Sequence, residues 1–390
     1  MPDRNPMLDQ LATYPAEALY AKRDALRARG LEVFDFSVGD PREPTDGAIR
    51  QAFGDGVPEV SQYPTIRGLA EFRRACADWV SRRFGVMLDP AREILPCSGA
   101  KEAVFHLPLC FVDPARRPRV LYGIPGYPVY ERGTLFAGGT PWPVELHAES
   151  GYRLEPWKLP RQLIGETAVI WINYPHNPTG ATVDRAYLSR LAEFCQARDI
   201  LLCSDECYVD LYLDDESPPS VLELGEGHRG LLAFHSLSKR SGMTGYRSGF
   251  IAGDAELIAT LAEVRGNFGV ASTVPVQRAA IAAWSDDAHA AGRRALFADK
   301  RDLFLSFFAR AGIDHLPCRA TLYLWVEVPG QGDPVDYAER LADRGILVSP
   351  APFHGVDQPY VRLALVPTRE DCERAIAIWA QLHEQGGGDS

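Results

Sequence analysis

Four short runs in the middle of the chain are apolar almost without interruption: Arg119 to Ile124, Thr167 to Asn173, Ile200 to Ser204 and Leu231 to His235. Continuous rather than alternating apolarity predicts strands covered on both faces. Between the second and third runs, Tyr187, Leu188, Leu191, Phe194 and Cys195 fall at helical spacing and predict a helix over about Asp184 to Arg198. Gly68 to Phe84 predicts another, with Leu69, Phe72, Cys76, Trp79 and Val80 on one side. Strand–helix–strand alternation of this kind predicts a mostly parallel sheet with right-handed crossovers.

The last third has a different pattern. A long helical stretch covers about Asp287 to Ala311, followed by a strand at Thr321 to Val328, a helix near Val335 to Arg344, and strands near Ile346 and at Tyr360 to Val366. A final helix starts at Thr368, whose hydroxyl can cap it, with Glu370 and Asp371 favourable in the first turn. The expected fold is therefore α/β: a large domain, 36–280, whose mostly parallel sheet is flanked by helices, and a smaller α+β domain from 1–35 and 281–390. The strand signal at Phe34-Asp35-Phe36 marks the first boundary. No internal repeat is present, and the glycine-rich tail from Gly386 to Ser390 is expected to fray.

Composition narrows the function classes. The 390 residues carry a net charge of −11, which argues against a general nucleic-acid or acidic-membrane surface and leaves room for a local basic pocket. The N-terminus is polar, without an apolar run of signal-peptide length, and no stretch of membrane-spanning length appears. Eight scattered cysteines form no C-x-x-C pair; buried thiols in a reducing cytoplasm are the expectation, without metal.

Candidate chemistry gathers at the predicted strand ends. Lys239 follows the Leu231 strand in His235-Ser236-Leu237-Ser238-Lys239. Alone, it reads as a solvated loop lysine. Ser236, Ser238 and Arg247 around it make an anion site, because hydroxyls donate and a guanidinium forks a phosphate. An amine beside a phosphate subsite is what a pyridoxal-phosphate Schiff base needs. Asp205, at the end of the Ile200 strand, is either a helix N-cap or the partner of a protonated pyridine nitrogen. Tyr208 is an ordinary half-buried aromatic or a donor to the cofactor's phenolic oxygen. Asn177, in Asn173-Tyr174-Pro175-His176-Asn177-Pro178-Thr179-Gly180, belongs to a strand-to-helix turn that can present its amide to the same oxygen.

The three segments N-P-T-G, S-D-E-x-Y and S-L-S-K, with an arginine eight residues after the lysine, resemble the class I/II aminotransferases of pyridoxal-phosphate fold type I. The likeness runs over nearly the whole chain. It implies pyridoxal 5'-phosphate as cofactor, with Lys239 as anchor and proton carrier. Ser98-Gly99-Ala100-Lys101 matches the segment whose Ala100 and Lys101 amides hold the phosphate at a helix N-terminus. Tyr127, in Pro125-Gly126-Tyr127-Pro128-Val129-Tyr130, matches the ring that stacks on the pyridine. Gly39, in Ser37-Val38-Gly39-Asp40-Pro41, matches the glycine over the substrate carboxylate, and Arg362 the arginine that forks it, with Asn177 also facing substrate. Tyr63, in Tyr63-Pro64-Thr65-Ile66-Arg67-Gly68, matches a tyrosine that reaches the phosphate of a neighbouring subunit, which implies a homodimer with shared sites. The expected partners are amino acids and 2-oxo acids, with no nucleic acid, membrane or metal.

Several stretches, among them Leu232 to Ser241 and Arg247 to Ala255, resemble the bacterial succinyldiaminopimelate transaminases of lysine biosynthesis, and Arg240 is particular to that group. The implied reaction moves an amino group from glutamate to N-succinyl-2-amino-6-oxopimelate. Arg265 and Asn267 are candidates for a second carboxylate anchor, and Tyr14 for a cover; surface positions are the competing reading. An aspartate, alanine or aromatic aminotransferase, or a C–S β-lyase, would keep the same inner residues. A ligand-sensing regulator domain is a third class, disfavoured by the acidic balance and the short segment before Phe34.

Overall fold

A computed structural model describes residues 3–11 and 14–386; of the tail expected to fray, residues 387–390 lie outside the described residues. The strands in chain order are β1 (Phe34–Asp35), β2 (Ile94–Cys97), β3 (Arg119–Ile124), β4 (Thr140–Glu145), β5 (Thr167–Asn173), β6 (Leu201–Asp205), β7 (Leu231–Ser236), β8 (Gly249–Gly253), β9 (Tyr323–Glu327), β10 (Ile346–Leu347), β11 (Ser349–Pro350) and β12 (Tyr360–Ala364).

Seven of these form one sheet in the order β2-β8-β7-β6-β5-β3-β4. β8 runs antiparallel to both of its neighbours, while β7, β6, β5, β3 and β4 pair in parallel. β5 and β7 are buried at every position, which is why their sequences are apolar on both faces. β4 is the opposite case. It sits at the sheet edge and carries Pro141 and Pro143, whose missing N–H groups blunt that edge.

Helices cover the sheet where the periodicity places them. Ala70–Phe84 buries Phe72, Cys76, Trp79 and Val80 and ends on Gly85 in the left-handed conformation, φ 71°. Arg185–Gln196 is capped by Asp184, whose side chain accepts from the Tyr187 N–H at 2.7 Å. Helices over Pro15–Ala28, Gly47–Asp55 and Val274–Ser285 are additions that the apolar pattern did not delimit.

A smaller assembly packs beside this sheet. β11, β12 and β9 form an antiparallel sheet, and β1 pairs in parallel with β10. Its core gathers Phe304, Phe307 and Phe308 of helix Ala288–Ala311 with Trp379 of helix Arg369–Gly386. Thr368 caps the latter through a bond from the Asp371 N–H at 3.1 Å. β9 begins two residues later than expected, because Thr321 sits at φ 73° and breaks the extended backbone. Among the described residues no helix is long and apolar enough to cross a membrane.

Candidate active site

Parallel strands bring their C-terminal ends to one edge, and ligands of open α/β sheets lie outside that edge. Here β5 ends on Asn173, β6 on Asp205 and β7 on Ser236, with Asn173 and Asp205 direct partners across the ladder. The loops that leave these strands carry Asn177, Tyr208 and Lys239. Together they wall a cavity of about 590 Å³ that also receives Gly39, Ala100, Lys101, Tyr127, Ser238, Arg247 and Arg362. Of the residues that the aminotransferase likeness assigns to cofactor and α-carboxylate, Tyr63 is elsewhere. It is fully exposed and does not line the cavity of its own chain.

One end of the cavity is built for an anion. Helix Ala100–Phe111 starts there on Gly99, with no side chain capping its first turn, so its leading N–H groups point at the cavity. The Arg247 guanidinium packs over Gly99 so closely that a Cβ at that position would run into it, and Gly99 also sits at φ 81°. Ser236 caps the short helix Leu237–Arg240 by accepting from the Ser238 N–H at 3.1 Å. The antiparallel return of β8 pairs Gly249 with Ser236 and brings Arg247 back beside Lys239. Lys239 Nζ donates to the carbonyl of Gly39.

The floor is acidic. Asp205 is buried, and its carboxylate accepts from the Tyr130 hydroxyl at 2.9 Å and the Cys207 N–H at 3.2 Å. Burial pushes its pKa up, and the Cys207 and Tyr130 donors oppose that rise. Both donors are neutral. A buried carboxylate left without a cation is costly, and a protonated ring nitrogen would supply the missing charge. Asn173 fixes the neighbourhood: its amide donates to the Asp205 carbonyl at 2.7 Å and accepts from the Asn177 N–H at 3.0 Å. Tyr127 forms the side wall, edge-on to Tyr130 at 5.8 Å. Burial and then Tyr14 push its phenol well up, so it stays neutral. Tyr14 does reach the cavity, its ring beneath Lys101 Nζ at 4.2 Å and near the Arg132 guanidinium at 4.9 Å.

At the other end Arg362 is buried and held on three sides. Nη1 donates to Asn177 Oδ1 at 2.9 Å, Nη2 donates to the Ser37 carbonyl at 2.5 Å, and the guanidinium lies 4.4 Å from the Tyr323 ring centre. Its Nε has no partner among the described residues. A guanidinium oriented in this way has donors to spare for a carboxylate. Gly39 must be glycine here, because a Cβ would collide with the Tyr323 hydroxyl. That hydroxyl is 3.1 Å from the Tyr208 hydroxyl.

The two candidates for a second carboxylate anchor do not reach this cavity. Arg265 is buried against Glu102 at 2.6 Å, and Asn267 is exposed and bonded to backbone carbonyls of its own helix end. Arg240 faces away from Lys239, paired with Asp210 at 2.8 Å and Asp287 at 2.6 Å. Conversely, the sequence reading assigned no role to Tyr130, Tyr323 and Asn173. Tyr130 stands three positions after Tyr127, whose carbonyl accepts the Tyr130 N–H at 3.3 Å, and that spacing was the available signal.

The phosphate cradle, the cation-seeking Asp205 and the lysine between them fit pyridoxal 5'-phosphate, and the sheet order and strand-end placement define a pyridoxal-phosphate enzyme of fold type I. Residues 32–378 match the family described as aminotransferase class I and II. The chain belongs to that family: it is an aminotransferase, and its cofactor is pyridoxal 5'-phosphate. It is 36% identical over 375 residues to LL-diaminopimelate aminotransferase 2 of Trichormus variabilis, covering 95% of this chain and 96% of that one. It is 37% identical over 348 residues to LL-diaminopimelate aminotransferase of Desulforudis audaxviator, covering 88% of each. Among solved structures, an aminotransferase from Neisseria meningitidis superposes with a TM-score of 0.90 at 32% identity, over 97% of this chain and 100% of that one. Aspartate aminotransferase of Thermus thermophilus with maleate gives 0.89 at 25% identity, over 98% and 100%.

Proposed function

We propose that this aminotransferase works on the diaminopimelate skeleton in lysine biosynthesis, exchanging an amino group between glutamate and the N-succinylated 2-amino-6-oxopimelate. The observation that carries the reading is the buried Arg362, presented by Asn177 and Ser37 to a cavity lined by four cations, Lys101, Lys239, Arg247 and Arg362, against two acids, Asp40 and Asp205. This cationic balance in a chain of net charge −11 suits a ligand set rich in carboxylate and phosphate. The names of the near full-length relatives support the diaminopimelate skeleton, and favour its free LL form as the second reading.

In this reading Ala100 and Lys101 (through their N–H groups), Ser236, Ser238 and Arg247 hold the phosphate. Asp205 faces the ring nitrogen, Tyr127 the ring face, and Asn177 and Tyr208 the phenolic oxygen. When bound, the cofactor supplies an electron sink for the carbon that loses its proton. Arg362 orients the substrate through its α-carboxylate beneath Gly39. Lys239 anchors the cofactor and, once free, moves the α-proton on its Nζ. Tyr63, exposed on its own chain, supports a homodimer in which it completes the partner's phosphate site. The division into a large body, 36–280, and a smaller one, 1–35 with 281–390, belongs to the same reading and is supported by the pairing of β1 with β10.

The deciding experiment mixes holoenzyme with single amino acids and follows loss of the cofactor absorbance. Conversion by glutamate and by N-succinyl-LL-diaminopimelate, with slower conversion by aspartate and aromatic amino acids, is the expected result. Preference for free LL-diaminopimelate selects the second reading, and ammonia release without an oxo acid would indicate a lyase. Light scattering should show a dimer; a fully active monomer would remove the role of Tyr63.

A further inference from the structure

Directly behind the cavity floor lies a polar pair that the reaction does not use. Side chains alternate across a strand, so when Asp205 and Ser236 face the cavity, Glu206 and His235 face the other side of the sheet. Glu206 Oε2 and His235 Nε2 stand 3.6 Å apart, both side chains 1% exposed. Glu206 Oε1 accepts from the Val221 N–H at 3.0 Å. Glu206 Oε2 and both His235 ring nitrogens have no hydrogen-bond partner among the described residues. The surroundings are the rings of Trp79, Phe84 and Phe250, at 5.1, 6.2 and 4.8 Å from the imidazole.

We propose that Glu206 and His235 share one proton as a neutral carboxylic acid–imidazole pair, and that this pair latches the ends of β6 and β7 so that Asp205 and Ser236 keep their spacing under the cofactor. The protonated carboxyl donates to His235 Nε2, and a small turn of the carboxyl closes the gap to hydrogen-bond length. A charged pair would have to be desolvated in this ring of aromatics, which costs more than the neutral one. The facing groups agree. Arg83, on helix Ala70–Phe84, is the nearby cation; it is committed to Asp210 Oδ1 at 3.3 Å and to the carbonyls of Val209 and Pro218, and its charge disfavours an imidazolium. Ser204 and Ser220 offer Glu206 neutral hydroxyls, and Glu223 adds a second negative charge nearby. Burial pushes the Glu206 carboxyl up to about 7 and the His235 imidazole down to about 3.

The signs follow from linkage. Between the ordinary 4.5 and about 7, folded Glu206 keeps a proton that the unfolded chain has lost, so its contribution to stability declines as pH rises through that window. Replacing it with glutamine removes that slope and keeps a donor for His235.

The proton is tested on the apoenzyme. The infrared difference between wild type and Glu206→Gln at pH 6 should contain the carbonyl stretch of a protonated carboxylic acid, and His235→Phe should shift that band. The melting temperature of Glu206→Gln relative to wild type should climb as pH rises from about 4.5 to about 7. Absence of the band, or a band indifferent to His235→Phe, overturns the shared proton. The latch is tested by cofactor affinity: Glu206→Gln should stay within about twofold of wild type and Glu206→Leu weaken it about tenfold, the worth of one good hydrogen bond. If Glu206→Leu does not fold, His235→Phe serves in its place. Equal affinity in the glutamine and leucine or phenylalanine variants overturns the latch. The latch rests on the roles read for Asp205 and Ser236. Were that reading wrong, Asp205→Asn would leave cofactor affinity intact while the infrared band persisted, so the two failures are separable.

Discussion

The hydroxyl of Tyr130 donates to Oδ2 of Asp205 at 2.9 Å, while its ring stacks on Trp171 at 5.2 Å. The stacking fixes where the hydroxyl points, so the carboxylate proposed to face the cofactor ring is positioned by a side chain from a different crossover. Tyr130→Phe removes one of two donors to a buried carboxylate. Cofactor affinity should fall by about tenfold, as expected for one hydrogen bond to a charged group, measured by titrating apoenzyme with pyridoxal 5'-phosphate. An unchanged affinity would show that the bond does not hold Asp205 in place.

Lys239→Ala should lower kcat by roughly a thousandfold, within the range of a lost general acid–base group, and should abolish the absorbance of the lysine-bound cofactor. Turnover near the wild-type rate with that absorbance retained would remove Lys239 from the centre of the reaction.

Arg362→Lys keeps the charge and loses the fork. The Asn177 and Ser37 contacts that aim the guanidinium have no equivalent on an ammonium. KM for glutamate should rise by roughly 10- to 100-fold, with a smaller effect on kcat. Equal losses in both constants would point to misfolding of the β9–β12 sheet instead.

Gly99→Ala tests the cradle. A methyl group there meets the Arg247 guanidinium, and the backbone at φ 81° disfavours any side chain. At φ 81° and ψ 145° the backbone lies in an extended positive-φ region that essentially only glycine adopts, costing a side chain about 1–3 kcal/mol, and displacement of Arg247 should weaken phosphate-bearing ligands further. The check is cofactor titration together with thermal melting.

Acid should destabilise the fold through its buried histidines. Burial holds the His176 imidazole at about 3, against an ordinary 6.5. His354 is likewise pushed well down by burial, Arg362 and His176. The unfolded chain takes up protons that these rings refuse, so stability should fall as pH drops from about 6.5 towards 3. In His176→Gln the fall should be shallower by one proton in that window, as read by melting temperature against pH. An identical slope would place the acid sensitivity elsewhere.

How much of this was legible differs by element. The bounds of β3 and β5 match the apolar runs residue for residue, while β6 is displaced by one residue from the run at 200–204 and β7 extends one residue past the run at 231–235. Thr321 is different: nothing in the one-letter sequence announces a left-handed threonine, and β9 starts later for that reason. The motif residues were legible because they lie just past predicted strands. Arg240 follows Lys239 directly yet is turned to Asp210 and Asp287, because neighbours on a short helix point in different directions. Arg265 could be read as a surface residue because its partner, Glu102, is 163 positions away in sequence. Tyr323 and Tyr130 act through contacts with Gly39, Arg362 and Asp205 that only the folded chain brings together.

The reversed strand β8 has a consequence for how the site can be altered. Ser236 and Gly249 are locked opposite each other in the ladder, and the Leu237 N–H is tied to the Ser248 carbonyl at 3.2 Å. The chain between them is a closed clasp of fixed length that carries Lys239 and Arg247. The proposed covalent hook, Lys239, and anion grip, Arg247, are therefore a single part, set by one span of backbone, and any residue inserted into or deleted from that span changes both at once.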